Sequence, residues 1–337
     1  MTKKRKKEIQ DFLLANPGYL KKSALYLKNN LFKAYTLQDV YDVLLEVRAF
    51  KKSASTPKLE IVKGKEHIEQ FSKIKEKALK HRPQNIYTPG KYIVMGCVHA
   101  PFHYEQAFKA VFSMLKDNRN SIVGLVLAGD FLDMNSLSSH DKGKKPLQGI
   151  TLDYEYQEGN TLLDNLLSPL ATNISKIYIF GNHEDRYNCY MADSDNSKLG
   201  KALPDPITAL RLYERGFKVY TNWKEDHITL GHYLDVSHGE FCNVHTAKKH
   251  IDTYRRSTLY YHTHRVQQYI EGAVGGYNGG SMADFRSQAF GYATRAMKNS
   301  WLNGFNTVDI DKDGFYHLQQ IVMYNNRFVY GDKTYSF

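Results

Sequence analysis

Cysteine is scarce: Cys97, Cys189 and Cys242 are the three in a chain of 337 residues. They are too few and too scattered for a disulfide framework, which points to a reducing compartment. No apolar run is long enough to span a bilayer, so no membrane attachment is expected. The N-terminus is basic, but Glu8, Gln10 and Asp11 interrupt the apolar stretch that a secretory signal needs. The expected location is therefore cytoplasmic. Acidic residues are short at one end only. Residues 1–91 hold 21 of the 46 Lys and Arg but 9 of the 35 Asp and Glu, so this stretch carries +12 and the remainder −1. Apolar residues make up 42% of the chain, enough for a large packed domain beside a small one.

The charge asymmetry separates a basic arm from a near-neutral body. Such an arm would hold a polyanion by counterion release, or else serve as a solvated tail. Within residues 1–52 three short helices are expected. Ile9, Phe12, Leu13 and Leu14 give an amphipathic pattern stopped at Asn16-Pro17-Gly18, and a second helix covers Ser23 to Asn30. Thr36-Leu37-Gln38-Asp39 has capping-box spacing before Val40, Val43, Leu44 and Val47. This is a basic helical module of helix-turn-helix type, with nucleic acid as its expected partner. Asp39, Asp42 and Glu46 on the third helix suit phosphates poorly, so a protein-docking bundle is the alternative. Residues 53–90 read as a linker containing one helix near 66–79, and residues 91–337 as the main domain.

In that domain five strand-like runs end in polar chemistry. Tyr92 to Gly96 leads to Cys97 and His99, and Ile122 to Ala128 leads to Gly129-Asp130-Phe131-Leu132-Asp133. Ile177 to Phe180 leads to Gly181-Asn182-His183-Glu184, Tyr233 to Val236 leads to His238, and Leu259 to Tyr261 leads to His262 and His264. Helix patterns over Glu105 to Lys116 and Gly159 to Leu170 lie between strands. The alternation predicts an α/β layered sheet with ligands at strand carboxyl ends. Imidazoles and carboxylates gathered there suit borderline divalent cations. Asp313-Gly314 reads as a hairpin turn and not part of a calcium loop, because position 12 of that loop would be Gln320. Gly275 to Gly280 lacks the end of a phosphate-binding loop and reads as a flexible loop.

The order and spacing of these residues over about 92–265 resemble the calcineurin-like metallophosphoesterase superfamily, with its DxH, GDxxD, GNH[ED], H and GHxH motifs. The resemblance implies a four-layer α/β/β/α sandwich and two divalent ions, manganese, iron or zinc. It makes Asp130 the bridging ligand, gives His99 and His264 to the first ion, and gives Asn182, His238 and His262 to the second. It makes His183 a protonated leaving-group acid oriented by Asp133. The run from His99 to His103 and the loop after Asp133 also look like bacteriophage-encoded members, which would place the protein in a host cytoplasm.

Three positions depart from the pattern. Cys97 stands where the family has Asp. Either it is a soft ligand suited to zinc or ferrous iron, or the first site is weakened and Cys97 is an inert strand-end residue. Met134 stands where the family's protein phosphatases have an Arg that grips a terminal phosphate, which argues for a diester substrate. Tyr261 replaces the Gly of GHxH. His103, His140, Lys142 and Arg186 are further candidates for contact with substrate. The expected activity is phosphodiester hydrolysis in nucleic acid by metal-activated hydroxide. The alternatives are a small-nucleotide or phosphoprotein phosphatase, and a non-catalytic DNA-binding or structural protein on a degenerate scaffold.

Overall fold

The structure is a computed structural model that describes residues 3–22, 24–36, 39, 40, 43, 44, 47, 84–86, 88–138, 150–193, 196 and 203–337. The helix expected near 66–79, His140 and Lys142 lie outside the described residues. The chain divides after Lys77 into two compact units.

The first unit contains α1 (Lys3–Ala15) and α2 (Ala24–Asn30), with further helical residues between Asp39 and Val47. Ile9 and Leu13 of α1, Leu27 of α2, and Val40, Val43, Leu44 and Val47 form one apolar cluster around Phe32. The helical spacing of those residues produces this cluster, since positions three and four apart share a face. The Asp39 N–H donates to Thr36 Oγ1 at 3.1 Å, and the Thr36 N–H donates to Asp39 Oδ2 at 3.4 Å. This reciprocal pair is the capping box.

The second unit holds two six-stranded sheets. The first runs β12 (Tyr316–Val322), β11 (Gly304–Ile310), β2 (Gly90–Met95), β3 (Ile122–Ala128), β4 (Ser175–Ile179), β5 (Lys218–Tyr220), with β2 to β5 parallel. The second runs β1 (Gln84–Ile86), β6 (Ile228–Leu230), β7 (Leu234–Val236), β8 (Ser257–Tyr260), β10 (Val274–Gly279), β9 (Val266–Glu271). Strand β1 arises within the stretch read as linker and pairs in parallel with β6. A separate hairpin joins β13 (Arg327–Tyr330) to β14 (Lys333–Ser336).

The period-two alternation of strands assigns the faces. Tyr92 and Val94, Val126 and Ala128, and Ile177 and Ile179 point between the sheets, where they meet Leu234, Val236 and Leu259. Ile93 and Met95, Leu125 and Leu127, and Tyr178 point the other way. They pack on Phe108 and Val111 of α3 (Glu105–Asn118) and on Leu163 and Leu166 of α4 (Leu152–Leu167). Strands buried on both faces are apolar throughout, which is why these runs are legible as strands. The short α5 (Asp185–Met191) follows β4, α6 (Thr246–Tyr254) covers the second sheet, and the layer order is α/β/β/α. Among the described residues no helix is long and apolar enough to cross a membrane.

The glycine-rich stretch from Gly275 is no loop. It forms β10, and a Cβ on Gly276 would lie 2.2 Å from the Ala247 carbonyl oxygen of α6. Glycine is therefore there to let a helix approach a strand. The β11–β12 connection is the expected turn: Asp311 Oδ1 accepts from the N–H groups of Asp313 at 2.9 Å and Phe315 at 2.8 Å, and Gly314 has φ +79°.

Candidate metal centre

All five polar strand ends meet at one edge of the two sheets. β2 delivers Cys97 and His99, β3 delivers Asp130 and Asp133, and β4 delivers Asn182 and His183. β7 delivers His238, and β8 delivers His262 and His264. Cys97, His99, Asp130, Met134, His262 and His264 have φ between +49° and +72°. Left-handed backbone is unfavourable for residues with a Cβ, costing about 1–3 kcal/mol each, and it clusters where function over-determines the geometry. Close approach also fixes Gly129 and Gly181: a Cβ would lie 2.2 Å from His238 Nδ1 and 2.1 Å from Asp130 Oδ1 respectively.

Two half-sites share this edge. In the first, Cys97, His99 and His264 bring ligand atoms together, with His99 Nε2 3.0 Å from His264 Nε2. In the second, His238 Nε2 lies 3.3 Å from Asp130 Oδ2, 3.0 Å from Asn182 Oδ1 and 3.2 Å from His262 Nδ1. Cys97 also groups with Asp130 and His238, so its sulfur stands between the halves. The donor set fits divalent cations. His99 Nδ1 is held by Asp133 Oδ2 at 2.9 Å and His238 Nδ1 by the Ala128 carbonyl at 3.2 Å. With a proton on each Nδ1, both Nε2 lone pairs point into the cluster, the orientation that an acceptor on Nδ1 gives a metal-bound imidazole. Nitrogen, oxygen and sulfur lone pairs then face one another at contact distance, which calls for positive charge.

The electrostatics agree. Burial raises the Asp130 pKa, but His238 and His183 outweigh it and hold the carboxyl well below its usual range. Burial lowers that of His238, yet Asp130 reverses the balance and raises it. Burial, then the Asp130 charge, pushes the Cys97 thiol well up, and its Sγ accepts the His262 N–H at 3.1 Å. A bound cation acts in the opposite sense and favours thiolate.

His183 is placed differently from expectation. Its Nδ1 donates to the Asp133 main-chain carbonyl at 2.7 Å, while the Asp133 carboxylate is 3.5 Å away and is engaged by His99. Arg186 donates to the same carbonyl at 2.9 Å and brings Nη2 to 3.2 Å from His183 Nε2. Two influences oppose each other at this ring. Burial disfavours the charged form, but Asp130 and Asp133 overcome it and raise the pKa. A hydrogen bond from Arg186 uses a lone pair on Nε2 and favours the neutral ring, whereas the two carboxylates favour the expected imidazolium.

Glu184 has a role that its place in the Gly181-Asn182-His183-Glu184 run did not reveal. Its buried carboxylate accepts from the N–H groups of Asp130 (3.0 Å), Leu132 (3.0 Å) and Gly181 (2.8 Å) and from the Tyr178 hydroxyl (2.9 Å). It ties the β3 and β4 ligand loops together. Cys242 places Sγ 3.0 Å from His262 Nε2, and no spacing signal in the sequence announced it.

His103 is not gathered into the cluster. Its main chain bridges to Ala283, and its ring packs edge-on against Phe108 and lines a cavity of about 220 Å³ beside α3 and α4. Met134 is fully buried in the helix-side core. Tyr261 is also fully buried and belongs to the inter-sheet core; its hydroxyl donates to the Val94 carbonyl at 2.9 Å.

No protein-family model matches the sequence, and no curated protein matches it. Several solved structures are similar in shape. Zinc-complexed Vps29 from Entamoeba histolytica is 12% identical with a TM-score of 0.34, covering 69% of this chain and 98% of its own. Vps29 from Cryptosporidium parvum is 11% identical with a TM-score of 0.34, covering 70% and 98%. A predicted phosphoesterase from Streptococcus pneumoniae is 13% identical with a TM-score of 0.31, covering 75% and 99%. The order of this chain's own sheets and the residues at its own strand ends carry the fold assignment.

Proposed function

We propose, from the premise that the chain has the calcineurin-like metallophosphoesterase fold, that it is a metal-dependent phosphodiesterase acting on nucleic acid. The observation that carries this reading is the convergence of Cys97, His99, Asp130, Asn182, His238, His262 and His264 on one sheet edge. Asp130 and Cys97 stand between the two groups of imidazoles. Bound there, two divalent ions such as manganese, iron or zinc would supply a water-derived nucleophile at neutral pH and offset charge on an in-line transition state.

The protein's own groups do the rest. Asp133 and the Ala128 carbonyl hold His99 and His238 in the ligating tautomer. Arg186 and His183 form the donor side of the site. When Arg186 turns onto a phosphate oxygen it frees His183 Nε2, and the neighbouring carboxylates then favour protonation of that nitrogen for delivery to the leaving group. Met134 takes the sequence position at which the family's protein phosphatases have Arg and is buried in the core, so it offers no grip on a terminal phosphate, which supports a diester over a monoester. The basic residues before position 92 would raise the chain's affinity for a polyanion.

The test is turnover of bis-p-nitrophenyl phosphate against p-nitrophenyl phosphate with manganese, zinc and ferrous iron, beside an Asp130→Asn control. Preference for the diester, abolished in the control, supports the reading; preference for the monoester overturns it. Deleting residues 1–77, which leaves β1 in place, is expected to weaken DNA binding and flatten its salt dependence.

A further inference from the structure

Two aromatic groups border the metal cluster, one beside each half. On the second half, the Trp223 ring centroid lies 6.2 Å from those of His238 and His262. Its Nε1 donates to Asp185 Oδ2 at 3.1 Å, which fixes the plane of the indole. Lys224, an exposed side chain, places Nζ 5.6 Å over that ring and must swing aside, as its exposure permits, for a base to stack there. Trp223, Ser237, Gly239 and Tyr254 line a cavity of about 300 Å³ immediately beside His238. Glu225, Asp226, Asp235 and Glu240 also line it and would repel a phosphate; Asp226 and Asp235 are engaged by the Asn222 N–H and Arg256, while Glu225 and Glu240 would accept hydrogen bonds from the amino groups of a base.

On the first half, Trp301 sits 4.7 Å from His264, ring to ring, and 6.3 Å from Tyr292. Tyr292 is the open member, 63% exposed. Its link to the metal cluster runs through Trp301, whose ring lies between it and His264. Between Tyr292 and Trp301 runs α7 (Arg295–Ser300), which adds Arg295 and Lys298. An exposed aromatic ring beside cations matches the way single strands are held, with bases stacked on rings and the backbone tracked by charge.

We infer that Trp223 and Tyr292 are stacking platforms for the two nucleobases flanking the scissile phosphate of an unpaired strand. The inference rests on the phosphodiesterase reading above and names its substrate class. Paired bases cannot present their faces to either ring, so a duplex is excluded from this mode.

The chain contains two tryptophans, Trp223 and Trp301, both at the site, so intrinsic fluorescence reports on it directly. The experiment titrates the full-length zinc-loaded protein with single-stranded oligothymidylate, with an abasic strand of equal length, and with a duplex. Oligothymidylate is expected to quench the emission, whereas the abasic strand and the duplex bind about tenfold more weakly and leave it unquenched. Trp223→Leu and Tyr292→Ala are each expected to weaken oligothymidylate binding about tenfold; Tyr292 is exposed, so its variant keeps the fold. An abasic strand that binds as well as oligothymidylate, or wild-type binding by both variants, overturns the inference. Diester turnover separates the two readings. Base-independent binding by an active enzyme removes the stacking alone, and base-dependent binding by a chain that turns over no diester removes the enzymatic reading alone.

Discussion

The Asp133 carboxylate holds His99 Nδ1 at 2.9 Å, while its main-chain carbonyl holds His183 Nδ1 at 2.7 Å. One residue thus orients two histidines with two different groups, its carboxylate closer to His99 at 2.9 Å than to His183 at 3.5 Å. Asp133→Ala is therefore expected to leave His183 in place and to loosen His99. Losing the acceptor that orients a ligating imidazole lowers metal affinity about 10–100-fold. A chelator competition should show that loss, while turnover at saturating metal should fall much less. The reverse pattern would mean that the carboxylate serves His183 after all.

Cys97 supplies a soft donor between the two half-sites. Thiolate favours zinc and ferrous iron, and carboxylate favours manganese and magnesium. Cys97→Asp is expected to shift the metal retained through purification from the former pair toward the latter, measured by elemental analysis of both proteins. An unchanged metal profile would assign Cys97 to packing, where its His262 N–H contact already gives it a structural use.

Glu184 accepts four hydrogen bonds with no exposed surface. Glu184→Gln turns one acceptor oxygen into a donor facing other donors. Each stranded buried donor costs about 1–3 kcal/mol. A lower urea midpoint with an unchanged slope is expected, together with weaker metal retention, because Asp130 and Gly181 share this anchor. Wild-type stability would show that the loops hold each other without it.

The strands were legible because β2, β3 and β4 are buried on both faces and must be apolar throughout. The ligands were legible because each follows such a run directly. What escaped depends on groups that sequence spacing does not order. Glu184 works through main-chain N–H groups on another loop. Cys242 and Trp223 reach His262 from connections whose path the second sheet decides. Gly275 to Gly280 has the composition of a loop, and only the approach of Ala247 makes it a strand. His103 looked like a neighbour of His99, but its bridge to Ala283 sends the ring toward Phe108.

Glu155 on α4 is buried, and its Oε1 accepts from the Asn135 N–H at 2.7 Å and the Ser136 N–H at 3.3 Å. Burial, then the Asp133 charge, raises its pKa from 4.5 to about 8, with the two N–H groups pulling the other way. The folded state thus holds a proton that the unfolded state releases near 4.5. Stability from this group is complete below pH 4.5 and is lost as pH rises through 8. Glu155→Gln keeps the acceptor oxygen and removes the titration. The wild type is therefore expected to lose stability relative to this variant between about pH 5 and pH 8, by a few kcal/mol in order of magnitude. Urea unfolding of both chains at pH 5, 6.5, 8 and 9 measures the gap. A gap independent of pH would place the Glu155 proton elsewhere and leave Asp133 without a neutral neighbour at the base of its loop.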